Sequence, residues 1–180
     1  MKQINIHDKT FRLFIPHDEI HATVVKMAEE MTRELSGKKP LFICILNGSF
    51  MFAAELYKNL DIIETEISFV KLASYDGDST TGEIKQLIGL NEKIEGRTVV
   101  VLEDIVDSGL TIDNILEQLQ YMKPKEVKVA TLLLKPDALK KNVQLDYVGM
   151  EIPNDFIVGY GLDYNGYGRN LVDIYSVINE

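Results

Sequence analysis

The stretch VVVLEDIVDSGLT, residues 99–111, decides the fold of this chain. Its first part is apolar except at Glu103 and Asp104, which is typical of a strand covered on both faces of a parallel sheet. The last part, from Asp107, brings small and hydroxyl-bearing residues before an apolar pattern with helical spacing begins. A buried strand that runs directly into a helix is the unit from which α/β sheets are built.

The alternation of strands and helices extends in both directions along the chain. Apolar side chains recur mostly at steps of three and four from Ile20 to Leu35 and from Ile112 to Met122, which predicts two amphipathic helices. Another helix is predicted at 50–60, for which Ser49 can provide the N-cap. Strands are predicted at 41–46, 66–75, 99–106, 127–134, 156–158 and 171–177, with a shorter apolar segment at 87–90. This pattern predicts an α/β fold, a twisted and mainly parallel sheet flanked by helices, with functional residues beyond the carboxyl ends of the strands.

Composition narrows the class of protein. The 180 residues carry 28 acidic and 19 basic side chains, for a net charge of −9. This length predicts a single domain, residues 1–180, whose core needs no disulfide or structural metal. The one cysteine, Cys44, lies in an apolar run, so we interpret it as a core residue of a cytoplasmic protein. The apolar runs are too short to cross a bilayer, and we expect no leader peptide.

The negative net charge also bears on possible partners. It opposes a phosphate backbone, so a nucleic-acid partner is not expected. The short basic segment KPKEVK, residues 123–128, is interpreted as a solvated turn. We therefore expect small-molecule substrates and no membrane or nucleic-acid surface.

The chemistry is concentrated where the strand of the opening stretch ends. Glu103, Asp104 and Asp107 place carboxylates there, and burying a carboxylate is costly unless it meets a cation, hydroxyl groups or another proton donor. Residues 108–111 then offer hydroxyls and free backbone N–H groups at a helix start, where the helix dipole favours an anion. The sequence therefore predicts a sugar-phosphate site, with sugar hydroxyls toward the carboxylates and the phosphate on the helix start.

Other phosphate and metal motifs are absent or incomplete. The chain has no GxxxxGK[ST] motif, and GYG at 159–161 lacks the third glycine of a dinucleotide site. His17 and His21 are spaced to share a metal on one helical face, but Asp18 stands where the zinc-protease motif has glutamate, and no third ligand is evident. We interpret this segment as the start of a surface helix. The polar, turn-rich residues 76–82 predict a mobile loop that closes over the site.

Residues 103–111 resemble the phosphoribosyl-pyrophosphate motif of type I phosphoribosyltransferases: two acidic residues, two hydrophobic residues, then Asp, Ser or Thr, Gly, any residue and Thr. From Phe42 to the C-terminus the chain is similar to the hypoxanthine (hypoxanthine-guanine) phosphoribosyltransferases. The segments that carry this likeness are LNGS at 46–49, SY at 74–75, LLLK at 132–135, and DFIVGYGLDYN at 155–165 followed by Arg169. The resemblance implies the type I phosphoribosyltransferase fold, in which terminal segments form a small hood over the sheet.

The resemblance implies a role for each residue of the first motif. Asp107 is implied as the general base that takes or steadies the proton at N7 of the purine while N9 attacks the sugar. Glu103 and Asp104 are implied to hold the ribose hydroxyls and magnesium-bound waters. The residues implied to grip the 5′-phosphate are Ser108, Gly109, Leu110 and Thr111.

The other segments are implied to bind the purine, the metal and the pyrophosphate. Lys135 is implied to donate to the 6-oxo group, Phe156 to stack on the purine, and the backbone at Ile157 to meet its far edge. Asp163, in the purine-binding segment, is implied to ligate Mg²⁺, with Glu103 and Asp104 completing the metal site. The residues implied to bind pyrophosphate are Asn47, Gly48, Ser74, Tyr75 and Arg169.

Two positions depart from the family pattern. Asn47 stands where lysine is common, beside a peptide bond that can be cis, so pyrophosphate would be bound there through backbone N–H groups without that charge. Gly168 stands where a bulkier residue is common, so we expect Arg169 to be more mobile. Neither departure affects a residue assigned to bond making.

The resemblance implies a magnesium-dependent purine-salvage enzyme, a homodimer or homotetramer. It would convert hypoxanthine, and also guanine, with 5-phosphoribosyl 1-pyrophosphate into the nucleoside 5′-monophosphate and pyrophosphate. Two alternatives stay open: a xanthine-preferring relative, because the 2-position of the purine is read largely by backbone, and a non-catalytic regulator that senses phosphoribosyl pyrophosphate. The regulator would need a DNA-binding domain or a basic face for RNA, which the charge balance disfavours.

Overall fold

The computed structural model describes residues 2–75 and 84–178. The loop predicted at 76–82 lies outside the described residues, as do the side chains of Ser74 and Tyr75. In chain order the elements are β1 (Gln3–Ile6), β2 (Lys9–Ile15), α1 (His17–Leu35), β3 (Leu41–Leu46), α2 (Phe50–Asn59), β4 (Glu66–Tyr75), β5 (Ile84–Ile88), β6 (Thr98–Val106), α3 (Leu110–Tyr121), β7 (Glu126–Leu134), a 3₁₀ turn (Pro136–Ala138), β8 (Tyr147–Glu151), β9 (Ile157–Val158) and β10 (Ile174–Val177).

The central sheet has the strand order β5-β4-β3-β6-β7-β8. Every neighbouring pair is parallel except β5, which runs antiparallel to β4. This confirms the predicted mainly parallel sheet. The carboxyl ends of β3, β6 and β7 therefore meet at one edge, where parallel sheets place their functional residues.

The second sheet is built from the two ends of the chain, in the order β1-β2-β10-β9. All of its pairs are antiparallel. Phe11, Val158 and Tyr175 form its small buried core. This sheet is the hood of terminal segments that the resemblance implied.

Alternating side chains of β3 separate the core of the central sheet into two layers. Phe42 and Cys44 pack on the side of α1 and α2, whereas Leu41 and Ile43 pack on the side of α3. Because helices cover both faces, the strand needs apolar residues at every position. Cys44 is fully buried, which confirms its interpretation as a core residue.

The helices follow the predicted apolar patterns. In α1 the buried residues are Ile20, Val24, Met27, Ala28, Met31 and Leu35. Met122, predicted on the apolar face of α3, is instead the C-cap residue and is 45% exposed. None of the helices in the described part of the chain is long and apolar enough to cross a membrane.

Ser49 corrects one prediction. It occupies the N-cap position of α2, but its side chain makes no capping hydrogen bond. Its hydroxyl donates to the carbonyl of Ile45 and lies 3.2 Å from the Cys44 sulfur. The side chain is fully buried, so a carbonyl near the end of β3 satisfies its hydroxyl, and the hydroxyl does not cap the N–H groups of the helix.

Candidate active site

A cleft of about 350 Å³ opens between the carboxyl edge of the central sheet and the hood. Its lining residues are Gly48, Asp104, Ile105, Asp107, Lys135, Phe156, Ile157, Leu162, Asp163 and Arg169. The cleft thus brings together residues predicted for the sugar, purine, metal and pyrophosphate. Ile105 and Leu162 are the apolar lining residues that sequence reasoning missed, although each stands next to a predicted carboxylate.

The remaining predicted residues lie behind or beside this lining. Glu103 is buried in β6, one residue before Asp104. Asn47 belongs to the turn between β3 and α2, where the Leu46–Asn47 peptide bond is cis. Residues 108–111 form the junction of β6 and α3. Ser74 and Tyr75 belong to the end of β4 by their backbone.

The turn between β3 and α2, predicted to bind pyrophosphate, packs directly against strand β6. A Cβ atom added at Gly48 would lie 1.6 Å from the Oδ2 atom of Asp104. The backbone of the turn approaches this carboxylate more closely than a side chain would allow, so any other residue at position 48 would displace the turn or the Asp104 carboxylate. Asp104 lies on β6 and Gly48 on the turn after β3, so the pairing of β3 with β6 sets this contact.

Two buried carboxylates on β6 carry strongly shifted pKa values. Burial raises the pKa of Asp104 from 3.8 to about 6, although a hydrogen bond from the Ile105 N–H at 2.9 Å favours its charged form. Burial, and then the charge of Asp104, raises the pKa of Glu103 well above its usual value. Among the described residues, the Oε2 atom of Glu103 has no hydrogen-bond partner. Such groups are stabilised by a ligand that supplies hydroxyls or a cation.

We expect Asp104→Asn to stabilise the free protein at neutral pH. Between pH 3.8 and about 6 the folded chain holds a proton that the unfolded chain has released, so the Asp104 contribution to stability falls as the pH rises through this window. Above it, the variant should gain about 2–3 kcal/mol in the free energy of unfolding, at 1.36 kcal/mol per pKa unit. Urea unfolding of both proteins measures this. The gain must vanish near pH 3.5, and equal stability at pH 7 would contradict the shifted pKa.

Asp107 and Lys135 form a pair at the cleft wall. They directly follow β6 and β7, whose pairing brings Val106 opposite Leu134. The Lys135 backbone N–H donates to the Val106 carbonyl at 2.9 Å, which extends this register. The Lys135 Nζ atom lies 3.7 Å from the Asp107 Oδ2 atom, and their side chains are 9% and 55% exposed. The Asp107 carboxylate, a hydrogen-bond acceptor, therefore stands beside the buried Lys135 ammonium, a hydrogen-bond donor.

The predicted anion site lies at the junction of β6 and α3. Gly109 is the N-cap of α3, with a φ of 78° that favours glycine, and it has no side chain to close the helix start. A Cβ atom there would also come within 3.0 Å of the Lys141 carbonyl oxygen. The Ser108 hydroxyl accepts a hydrogen bond from the Leu110 N–H at 3.4 Å. A helix start of this kind binds phosphate through its backbone N–H groups and its dipole.

Asp163 and Arg169 form an ion pair within the segment that follows β9. The Arg169 Nη2 atom lies 2.7 Å from the Asp163 Oδ1 atom, and Nη1 donates to the Gly161 carbonyl at 2.7 Å. Asp163 also accepts a hydrogen bond from the Gly166 N–H at 2.7 Å. Arg169 is expected to be more mobile beside Gly168; in the structure its guanidinium has these two partners. Gly168 itself leaves no room for a bulkier residue, since a Cβ atom would lie 2.5 Å from the Val158 side chain.

Phe156 and Ile157 supply an apolar wall. Phe156 is 45% exposed and meets Tyr164 edge to face, with ring centroids 5.7 Å apart. Ile157 is buried on β9, where it pairs with Ser176 of β10. One aromatic ring is thus held by its neighbours while part of its surface is open to the cleft, which suits the stacking of a flat ligand.

Known proteins are similar to this chain in sequence and in fold. The family model described as the phosphoribosyl transferase domain matches residues 16–165. The hypoxanthine-guanine phosphoribosyltransferase of Bacillus subtilis (strain 168) is 41% identical over 162 residues, covering 89% of this chain and 89% of that protein. The bifunctional protein TilS/HprT of Listeria monocytogenes serotype 4b (strain F2365) is 39% identical over 168 residues. The match covers 93% of this chain, which spans 26% of the length of that relative.

Solved structures agree with this relationship. A hypoxanthine phosphoribosyltransferase from Staphylococcus aureus superposes with a TM-score of 0.85 at 34% identity. The superposition covers 93% of this chain and 91% of that chain. The type I phosphoribosyltransferase fold implied by the motifs is therefore confirmed, hood included. The chain belongs to the phosphoribosyltransferase family and, within it, to the hypoxanthine-guanine phosphoribosyltransferases.

Proposed function

We propose that this chain transfers a 5-phosphoribosyl group from 5-phosphoribosyl 1-pyrophosphate to hypoxanthine, and also to guanine, releasing pyrophosphate. The observation that carries this proposal is the pair formed by Asp107 and Lys135, 3.7 Å apart at the cleft wall. A 6-oxopurine has N7 and its 6-oxo oxygen side by side on one edge. When N9 attacks the sugar, that edge offers a proton at N7 and an acceptor at the oxygen, which match a carboxylate beside an ammonium group.

Asp107 is the proposed general base. It is more exposed than its partner lysine, so a purine can reach it from the cleft. As N9 bonds to the sugar, positive charge develops on the purine, and a carboxylate near N7 accepts or steadies the proton that leaves. The breaking bond to pyrophosphate leaves a ribosyl oxocarbenium ion, which the buried carboxylates of β6 stabilise electrostatically.

Lys135 and Phe156 are proposed to select and orient the purine. The buried ammonium of Lys135 donates to a 6-oxo group, whereas the 6-amino group of adenine cannot accept that bond. Phe156 stacks on the ring, and the backbone at Ile157 meets its opposite edge. The purine would thus be fixed by one face and two edges.

The other substrate is proposed to bind along the acidic strand and the helix start. The 5′-phosphate lies on residues 108–111, and the ribose hydroxyls meet Glu103 and Asp104, whose burial leaves them in need of such partners. Arg169 and the backbone of Asn47 and Gly48 bind the pyrophosphate. The side chains of Ser74 and Tyr75 remain part of the proposal, although they lie outside the described residues.

Magnesium fits this site as an ion carried partly by the substrate. The described residues contain no cluster of three or more protein ligands that could hold a metal by themselves. Mg²⁺ keeps several waters and is commonly bound by one or two carboxylates together with substrate phosphates. Asp163 would ligate it, with Glu103 and Asp104 toward its waters; the unpartnered Glu103 oxygen supports this assignment. The bound ion would offset the charge of the departing pyrophosphate.

A panel of purine bases tests the proposal. We expect the purified chain to convert hypoxanthine and guanine readily, xanthine more slowly, and adenine at least about 100-fold less efficiently, because Lys135 would face an amino group. Removing Mg²⁺ with a chelator should abolish turnover of every base. Ultraviolet absorbance of each base and its nucleotide gives the rates. Adenine as the best substrate would overturn the role of Lys135, and xanthine as the best would replace the proposal by the xanthine-preferring alternative.

The proposal includes the organisation of the protein. Both sheets line the cleft, which supports residues 1–180 as one phosphoribosyltransferase domain. The cytoplasm supplies both substrates and suits a buried, unpaired Cys44. A homodimer or homotetramer is proposed from the family resemblance, and sedimentation analysis measures that state.

A further inference from the structure

A cluster of polar side chains lies behind the cleft, where the site described above does not use it. Glu55 on α2 is only 8% exposed, and its Oε2 atom accepts a short hydrogen bond from the Tyr160 hydroxyl. Its Oε1 atom lies 2.6 Å from the His21 Nδ1 atom, and the His17 Nε2 atom is 3.8 Å from Oε2. Both histidines lie on the first turns of α1. None of these four residues lines the cleft.

Tyr160 lies in the turn at residues 159–161, next to the part of the cleft that is proposed to bind pyrophosphate. The residues Gly159, Tyr160 and Gly161 have φ values of 106°, 48° and 98°, so the turn uses a backbone conformation that disfavours a side chain such as that of tyrosine. Tyr160 is nevertheless 2% exposed and fully engaged by Glu55. A residue held in this conformation indicates that its side-chain contact fixes the turn.

The same turn contacts Gly48 and Arg169, two of the residues proposed to bind pyrophosphate. A Cβ atom at Gly161 would lie 2.0 Å from the Gly48 carbonyl oxygen, so the two backbones are in close contact. The Gly161 carbonyl accepts from the Arg169 guanidinium at 2.7 Å, and its N–H donates to the Arg169 carbonyl at 3.0 Å. Glu55, for its part, lies on the helix that begins directly after the turn of Gly48.

The charges in the cluster keep the tyrosine as the donor. Burial alone would raise the pKa of Glu55, but the hydrogen bonds from Tyr160 and His21 lower it below its usual value. Burial, and then the bond to Glu55, raises the pKa of Tyr160. The bond therefore joins a carboxylate to a neutral hydroxyl, the charge-assisted type that is stronger than a bond between neutral groups.

We propose that Glu55 and Tyr160 are positioning residues for the pyrophosphate half of the reaction. Their hydrogen bond joins α2 to the 159–161 turn and so sets the backbone of Gly48 against the turn that holds Arg169. Neither side chain touches a substrate. The inference rests on the proposed phosphoribosyltransferase activity, and it assigns the binding of phosphoribosyl pyrophosphate, rather than of the purine, to this contact.

Tyr160→Phe tests the proposal because it removes one oxygen and keeps the ring. We expect the KM for phosphoribosyl pyrophosphate to rise about five- to tenfold, less than the roughly 10- to 150-fold value of a hydrogen bond to a charged group, because the lost bond acts on the substrate only through the turn. The KM for hypoxanthine should stay within about twofold. Calorimetric titration of phosphoribosyl pyrophosphate in the presence of Mg²⁺ should show the same weakening without turnover.

Tyr147→Phe is the matched control. Tyr147 is also buried and donates to a glutamate, Glu34 on the last turn of α1, at 2.5 Å. This variant should lose a comparable amount of thermal stability and leave both KM values unchanged. If Tyr160→Phe behaves like this control, or raises both KM values equally, the positioning role is overturned. An inactive wild-type chain would instead contradict the proposed function itself.

Glu55→Gln is the second variant. It tests the same proposal if Tyr160→Phe folds poorly. It keeps the side-chain length but has one acceptor oxygen for two donors, so the KM for phosphoribosyl pyrophosphate should rise selectively. The double variant should add little beyond the larger single effect, since both changes act on one contact. Unchanged or fully additive effects would overturn the proposal.

Discussion

Asp107→Asn should lower kcat by about two to four orders of magnitude, the usual contribution of a positioned general base. The asparagine amide has the size of the carboxylate but cannot take a proton from N7 of the purine. The proposed phosphate and ribose contacts lie elsewhere, on residues 108–111 at the junction of β6 and α3 and on the buried carboxylates of β6. The Kd for phosphoribosyl pyrophosphate should therefore stay within about threefold of wild type. Single-turnover kinetics and calorimetry separate the two quantities.

Asp61→Asn is the matched control for the general effect of removing one negative charge. Asp61→Asn changes an exposed aspartate just beyond α2, at the end of the helix away from the Gly48 turn, and should leave kcat unchanged. If Asp107→Asn turns over hypoxanthine at a rate near wild type, Asp107 is not the base. The pair with Lys135 would then serve only to hold that lysine.

Gly48→Ala should abolish the binding of phosphoribosyl pyrophosphate, with kcat/KM lowered by more than about 100-fold. The added methyl group would lie 1.6 Å from an oxygen of Asp104, a residue of the central strand β6. Relief of this overlap requires the turn after β3 or the Asp104 carboxylate to move, which displaces a proposed pyrophosphate or ribose contact, and a displacement of about 1 Å at a reaction centre can cost 100-fold. Steady-state kinetics and calorimetric titration measure the loss.

Gly96→Ala is the control for replacing a glycine. Gly96 has a φ of 72°, so alanine is strained there, but no atom lies within 4 Å of the added Cβ atom. This variant should lose some stability and keep its kinetic constants. If Gly48→Ala binds phosphoribosyl pyrophosphate as wild type does, the turn at residues 46–49 does not form the pyrophosphate site.

The sequence predicted the central sheet well because its strands are buried on both faces. A continuous apolar run bounded by turns marks β3 at its observed limits, residues 41–46. The hood strands β1 and β2 escaped prediction because they are half exposed, with alternating rather than continuous apolar residues. Strand β8 escaped for the same reason, because the buried Tyr147 is followed by exposed and partly exposed positions.

The site was predictable where its residues are close together in sequence. Glu103, Asp104 and Asp107 form one local motif, and the structure brings Lys135 and Asp163 to the same cleft. The cluster of Glu55 and Tyr160 was not predictable, because these residues are 105 positions apart and share no motif. His17 and His21 were interpreted as a plain helix start, and only the fold reveals that they face Glu55.

The fold also shows how an acidic chain can bind a polyanionic substrate. The net charge of −9 is spread over the whole protein, whereas the proposed phosphate contacts use backbone N–H groups, Arg169 and Mg²⁺. The carboxylates in the cleft are proposed to face sugar hydroxyls and Mg²⁺. Local geometry, rather than net charge, therefore decides which substrate this site can accept.

The central claim is tested most directly by phosphorus-31 NMR of the purified chain with hypoxanthine, phosphoribosyl pyrophosphate and Mg²⁺. We predict that the substrate signals are replaced by those of inosine 5′-monophosphate and pyrophosphate in equal amounts, and that omitting hypoxanthine or Mg²⁺ stops the change. Unchanged substrate signals in the complete mixture, or hydrolysis to ribose 5-phosphate that is independent of hypoxanthine, would contradict the account.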